Sequence, residues 1–171
     1  WLKMNLDNTK LYVGIDASFS GTGVVVMNNE FKIIEQRLIG TKKRDSIYDI
    51  EERMLYIVKA LECILKYKKD IKLALIEGIS YGSTGDGAAQ LAALNYFIRI
   101  FLLQNEIPYS DVSPSKLKQF VSGKGQSKKN MMLKEVYKKW GEDFDDGNIC
   151  DSYALARLAQ FNYNKIGPIK W

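Results

Sequence analysis

Residues 11–27 read Leu-Tyr-Val-Gly-Ile-Asp-Ala-Ser-Phe-Ser-Gly-Thr-Gly-Val-Val-Val-Met, and no other stretch constrains the fold as strongly. Two runs of β-formers flank a turn rich in Gly and Ser, which predicts a β-hairpin. Asp16 stands where the first apolar run meets the turn. A carboxylate at the lip of a buried strand is costly to desolvate unless it is paired or bound to a cation. Asp16 is therefore a candidate metal ligand, with an ordinary turn Asp as the plain alternative. The choice between them depends on acidic residues far along the chain.

The chain has 171 residues, 46% hydrophobic and 26% charged, which suits one ordinary folded domain with a real core. Residues 1–10 read as an N-terminal extension or cloning remnant, and 11–171 as a single domain. There is no His. That removes Ser-His triads, His-assisted ribonuclease chemistry and nearly all zinc hydrolase sites. The net charge of +5 fits a polyanionic partner without identifying one. Cys63 and Cys150 form no CxxC motif or disulfide framework, which suits a reducing cytoplasm, and both read as small buried apolar residues. No apolar run is long enough to span a membrane, and no signal peptide is apparent.

After the hairpin, residues 31–39 read as a third strand, closing an antiparallel meander through an Asn28-Asn29 turn. The basic run Lys42, Lys43 and Arg44 reads as solvated charge. Ser46 is the expected cap of a long helix whose apolar stripe runs through Ile47, Ile50, Met54, Ile57, Leu61 and Ile64. Residues 72–77 form a buried strand ending on Glu77, and residues 88–104 a second apolar helix. A short strand over 107–112 leads to a helix opened by Ser113 as N-cap and Pro114 at the first position. A Gly- and Lys-rich loop precedes a helix over 128–140. An acidic linker then leads to a last helix over 148–162, with Cys150, Ala154, Leu155, Leu158 and Phe161 on its inner face. The order β-β-β-α-β-α-β followed by helices predicts an α/β layered domain with a mixed sheet.

Asp16 ends strand one, Glu77 ends the fourth strand, and Asp151 opens the last helix. If strands one and four are neighbours and that helix packs over them, the three carboxylates converge. Oxygen-only ligation selects hard cations, Mg²⁺ or Mn²⁺. Two such ions about 4 Å apart activate a water and stabilise the leaving oxygen of a phosphodiester. Taken alone, Asp151 also fits a helix-start carboxylate favoured by the macrodipole. That explanation does not extend to Glu77, which ends an otherwise apolar strand.

These residues resemble a known family. Gly14-Ile15-Asp16-Ala17-Ser18 with Thr22-Gly23 looks like the first motif of RuvC-type Holliday junction resolvases, and Ala74-Leu75-Ile76-Glu77 like the second. The segment from Val112 to Lys118, with Gly123-Lys124-Gly125-Gln126-Ser127-Lys128-Lys129, is similar to the family's Pro-x-x-x-Lys and Gly-x-Gly-x-x-x-Lys segment. Asp151-Ser152-Tyr153-Ala154-Leu155-Ala156 looks like the terminal Asp-Ala-Leu-Ala-Leu-Ala motif. The match runs in order from about Leu11 to Gln160.

The resemblance implies a ribonuclease H-like fold with a five-stranded mixed sheet. It also implies a homodimer that nicks paired strands of four-way DNA junctions with two Mg²⁺ per site, in a bacterial or phage-host cytoplasm. By residue matching, Asp16, Glu77 and Asp151 would be metal ligands, and Lys129 the basic residue near the scissile phosphate, with Lys128 or Lys124 as substitutes. Lys116, Lys118, Lys124, Lys128 and Lys129 suit backbone phosphate contacts. Helix 88–104 is the expected dimer interface, because Tyr96 and Phe97 leave apolar groups off its main face. The alternative is that helix 47–64 covers them within the same chain.

Two positions depart from the family pattern. Bacterial members usually have an acid or His where this chain has Asn148. Either Asn148 coordinates as it stands, or Asp146 or Asp145 reaches in, or the Asn is an engineered substitution. Some phage-encoded relatives carry Asn there, which favours a native residue. The family's junction-stacking aromatic is replaced by Ser80, with Tyr81 adjacent and able to stack at roughly 1–3 kcal/mol per base. Rival readings are a sugar kinase or actin-like ATPase, which need two such domains, a non-cutting junction-binding module, and a nuclease of the same fold acting on flaps or RNA–DNA hybrids.

Overall fold

The computed structural model describes residues 10–79, 85–123 and 129–167, with side chains at all of these except residues 129 and 130. Tyr81, Lys124 and Lys128 therefore lie outside the described residues, as does the side chain of Lys129.

Five strands form one mixed sheet: β1 Leu11–Asp16, β2 Thr22–Asn28, β3 Ile33–Ile39, β4 Ile71–Glu77 and β5 Tyr109–Val112, in the spatial order β3-β2-β1-β4-β5. The β1–β2–β3 meander is antiparallel, and β4 and β5 add in parallel on the other side of β1. This is the ribonuclease H-like arrangement the motifs imply. Strands one and four are neighbours, paired from Leu11 with Ile71 to Ile15 with Ile76.

Every residue of β1 and β2 is buried, because helices cover both faces of the sheet. Successive side chains point to opposite faces. Val13, Ile15, Val24 and Val26 meet helices α1 (Asp49–Ile64) and α2 (Asp86–Gln104). Tyr12, Val25, Met27 and Leu75 meet α3 (Pro114–Ser122), α4 (Lys129–Trp140) and α5 (Gly147–Ile166). Among the described residues, no helix is long and apolar enough to cross a membrane.

Three sequence expectations are corrected. Helix α1 begins at Asp49 rather than at a Ser46 cap. The Ser46 hydroxyl instead accepts from the Tyr48 N–H (3.1 Å), closing a turn ahead of the helix. Ile47 consequently falls outside the stripe, at 88% exposure. Phe161 faces outward from α5, and Cys63 is exposed while Cys150 is buried. Position 63 follows Leu61 by two residues, and a two-residue step carries a helical side chain off the buried stripe. Helix α3 matches its expectation, with Pro114 at the start and the Ser113 hydroxyl accepting from the Lys116 N–H at 3.3 Å.

Candidate active site

Period-two alternation places Tyr12, Gly14 and Asp16 on the sheet face that α5 covers. Gly14 decides how closely the helix approaches. A Cβ at this position would lie 1.9 Å from the Ser152 carbonyl oxygen and 2.6 Å from the Ala156 nitrogen. Gly23, opposite Asp16 in the ladder, is equally constrained, its Cβ falling 2.2 Å from the Asn148 carbonyl oxygen. With both side chains absent, the backbone of α5 lies directly on the hairpin. The first turns of α5 are thereby brought to the end of β1.

Polar contacts fix the register of that docking. The Asp16 N–H donates to Ser152 Oγ at 3.2 Å, and the Ser152 hydroxyl donates to the Asn148 carbonyl at 2.7 Å. Asn148 Nδ2 donates to the Gly21 carbonyl at 2.6 Å. The amide nitrogen thus holds the hairpin turn, and Oδ1 is the atom of this side chain with the chemistry to ligate a cation. The turn itself is closed by Thr22, whose hydroxyl donates to the Ser18 carbonyl and accepts from the Ser18 N–H.

Glu77 arrives from β4 on the same face. Its carbonyl accepts from Nδ2 of Asn95, a residue only 2% exposed within α2. Asn95 Oδ1 accepts from Arg99 Nε at 2.8 Å, and Arg99 pairs with Asp111 of β5 at 3.6 Å. This relay fixes the end of β4 from the side opposite α5.

These elements enclose a cavity of about 350 Å³ whose lining includes Asp16, Glu77, Asp151, Asn148 and Lys118. Asp16 is 7% exposed, and Oδ1 of Asp151 is sealed from solvent. Among the described residues, no three Asp, Glu, Cys or His side chains converge tightly enough to hold an ion as they stand. Like-charged carboxylates on one cavity wall repel one another, and a cation between them relieves that repulsion. A donor set of three carboxylates and an amide oxygen fits a hard divalent cation.

The remaining sequence candidates separate. Asp146 caps α5, its Oδ1 accepting from the N–H groups of Asn148 (2.8 Å) and Ile149 (3.1 Å). It lines a different hollow together with Asp145, because a cap residue sits outside the helix face carrying Asn148 and Asp151. Neither Asp146 nor Asp145 lines the acidic cavity, whereas Asn148 does. Lys118 lines the cavity, and Lys116 is exposed outside its lining. Sequence reasoning missed Asn95, Arg99 and the structural role of Ser152. A polar Asn in an apolar helical run was the available signal for the first.

A family model described as crossover junction endodeoxyribonuclease RuvC matches residues 12–156. The crossover junction endodeoxyribonuclease RuvC of Brachyspira hyodysenteriae is 28% identical over 158 residues, covering 90% of this chain and 95% of that one. The Thermus thermophilus RuvC structure superposes with a TM-score of 0.74 at 18% identity, over 94% of this chain and 98% of that one. The same protein in complex with a Holliday junction substrate gives 0.76 at 14% identity, over 93% and 98%. The meander, the parallel β4 and the acid-lined cavity under α5 all fall within the matched span, and the chain belongs to the RuvC family of crossover junction endodeoxyribonucleases.

Proposed function

We propose that this chain is a divalent-cation-dependent endonuclease that resolves four-way DNA junctions by paired symmetric nicks. The observation that carries the reading is the gathering of Asp16, Glu77, Asp151 and the Asn148 amide in one cavity with Lys118. Mg²⁺, or Mn²⁺ in its place, is the class of cation such donors select, and when bound it supplies an activated water and stabilises the leaving oxygen of a phosphodiester.

The protein's own part is positioning. Asp16 and Asn148 are held by the Ser152 and Gly21 bonds, and Glu77 by the Asn95 bond to its carbonyl. Lys118 places a positive charge in the wall, where it holds a DNA phosphate against the acids. Lys129, at the start of α4, is the further proposed phosphate contact.

A junction with near two-fold symmetry needs two equivalent sites, which a C2 dimer provides. The outward face of α2 suits that role. Tyr96, Ile100 and Leu103 are exposed at 55%, 49% and 52%, and their spacing of four and three makes one stripe. This stripe is the proposed contact between copies.

The test is cleavage of a panel of four-way junctions, flaps and RNA–DNA hybrids, with and without Mg²⁺. Paired nicks confined to the junction support the proposal. Preferential cutting of a hybrid or flap, or junction binding without cutting, overturns it.

A further inference from the structure

A second cavity, of about 360 Å³, lies at the other end of α5, and none of its lining is shared with the acidic one. Gln160 stands nine residues beyond Asp151, about 14 Å along the helix at 1.5 Å per residue. The cavity is lined by four aromatic side chains: Phe31 from the β2–β3 turn, Phe120 from α3, Trp140 from α4 and Phe161 from α5.

Two cations share this space, and among the described residues no carboxylate lines it. The Arg157 guanidinium sits 3.8 Å from the centre of the Phe31 ring and 4.9 Å from that of Trp140. Lys139 Nζ lies 4.6 Å from the Phe120 ring centre and donates to the Phe120 carbonyl. Partial burial, and then the neighbouring Arg157 charge, hold the Lys139 ammonium below the usual lysine range. Burial likewise lowers Arg157, offset in part by Tyr153 and Glu142. Two like charges drawn together in a half-buried space favour an anion between them.

Two further features mark the wall of this cavity. Gln160 is only 3% exposed and lines the cavity. Its Nε2 donates to the Asn29 carbonyl at 2.7 Å, and its sealed Oε1 has no hydrogen-bond partner among the described residues. Phe31 is also held at φ 66°, a left-handed conformation unfavourable for a bulky residue. Such strain persists where the surroundings over-determine it, and it gathers at ligand clamps.

We propose that this cavity binds a nucleoside monophosphate unit, its base against the aromatic rings and its phosphate between Lys139 and Arg157. Stacking on aromatic rings is tolerant of base identity, and a charge-assisted contact from two cations suits a monoester better than a neutral ligand. The same unit has two sources, a free nucleotide or the unpaired terminal nucleotide of a DNA strand. The site stands on its own residues and does not depend on the nuclease reading.

The test is calorimetric titration of the full chain with deoxyadenosine monophosphate in a metal chelator, which removes cation-bridged binding at the acidic cavity. Saturable binding is expected, with inorganic phosphate at least about tenfold weaker, a difference of 1.4 kcal/mol. Lys139→Ala, at an exposed position, should weaken the nucleotide about tenfold by loss of one charge-assisted contact. Phe161→Ala, at an exposed ring of the lining, should also weaken it, its fold checked by circular dichroism. Lys118→Ala should leave it within about twofold. No binding at millimolar nucleotide, equal binding of phosphate and nucleotide, or indifference to Lys139→Ala overturns the proposal. Competition by a hairpin with one unpaired 5′-phosphorylated nucleotide, but not by a blunt one, assigns the DNA source. Its absence, with nucleotide binding intact, assigns the free nucleotide.

Discussion

The Asp16 N–H donates to Ser152 Oγ at 3.2 Å across 136 residues of chain, and the Ser152 hydroxyl in turn donates to the Asn148 carbonyl. One serine thus sets both the end of β1 and the first turn of α5. Ser152→Ala should remove the bond from the Asp16 N–H to α5 and lower stability by about 0.5–1.5 kcal/mol. As a positioning residue it should also raise the Mg²⁺ concentration needed for half-maximal cutting. Denaturant unfolding and a metal titration of cleavage measure the two effects separately. Unchanged metal dependence would reduce Ser152 to a packing role.

Asp16→Asn should abolish nicking while the fold and junction binding survive, because the amide keeps the volume and loses the charge. Binding should tighten, since one negative charge facing the phosphates is removed. Gel-shift and cleavage assays on the same junction check both expectations. Cutting at the wild-type rate would place Asp16 outside the site.

Junction affinity should fall steeply with salt, with a log–log slope of roughly −0.9 per phosphate neutralised. Lys116→Ala, at an exposed position, should lower the slope by about one such step and leave the rate of bound complex unchanged. Lys118→Ala should slow single-turnover cutting more than it weakens binding, because Lys118 lines the acidic cavity. Equal losses in both would make Lys118 an ordinary anchor.

The two thiols should differ sharply. Burial, and then the Asp151 charge, push Cys150 up to about 12 from 9.0, whereas Cys63 is exposed. At pH 8 a thiol-reactive disulfide should label Cys63 quickly and Cys150 only on unfolding. The raised folded value makes Cys150 a source of stability present below pH 9 and lost as pH rises toward 12. A Cys150→Ala variant should show a shallower alkaline loss in thermal melts.

Ile100→Glu or Leu103→Lys should yield folded monomers that nick singly, if the α2 stripe joins two copies. Analytical ultracentrifugation at micromolar concentration decides the assembly state. A monomeric wild-type protein that still makes symmetric nicks would remove the dimer.

The acidic residues were legible because each breaks an apolar element: Asp16 and Glu77 end buried strands, and Asp151 lies in a small-residue helix. Their supports were not. Ser152 and Asn95 hydrogen-bond across elements, and no local periodicity encodes a partner 136 or 18 residues away. The start of α1 was misread because Ser46 and Ile47 carry a cap and stripe pattern. In the structure, Asp49 Oδ1 instead accepts from the Arg44 N–H at 2.6 Å, folding the preceding loop back on the helix. Asp146 caps α5 while Asn148 lines the acidic cavity, a division the sequence does not reveal because an Asp just ahead of a helix suits a cap and a ligand alike.

The close approach of α5 to Gly14 and Gly23 also bears on when the protein becomes dangerous to DNA. The hairpin leaves the ribosome more than a hundred residues ahead of Asn148 and Asp151. Contacts of such long sequence separation form late, after the cost of closing the intervening loop has been met. A nascent or truncated chain lacking α5 would carry Asp16 and Glu77 without the third acid, and with the whole α5-facing side of β1 uncovered. Such a fragment should neither nick DNA nor resist proteolysis, so incomplete synthesis should yield a degradable product instead of an unregulated cutter; cleavage and limited-proteolysis assays of a chain ending before Gly147 check both.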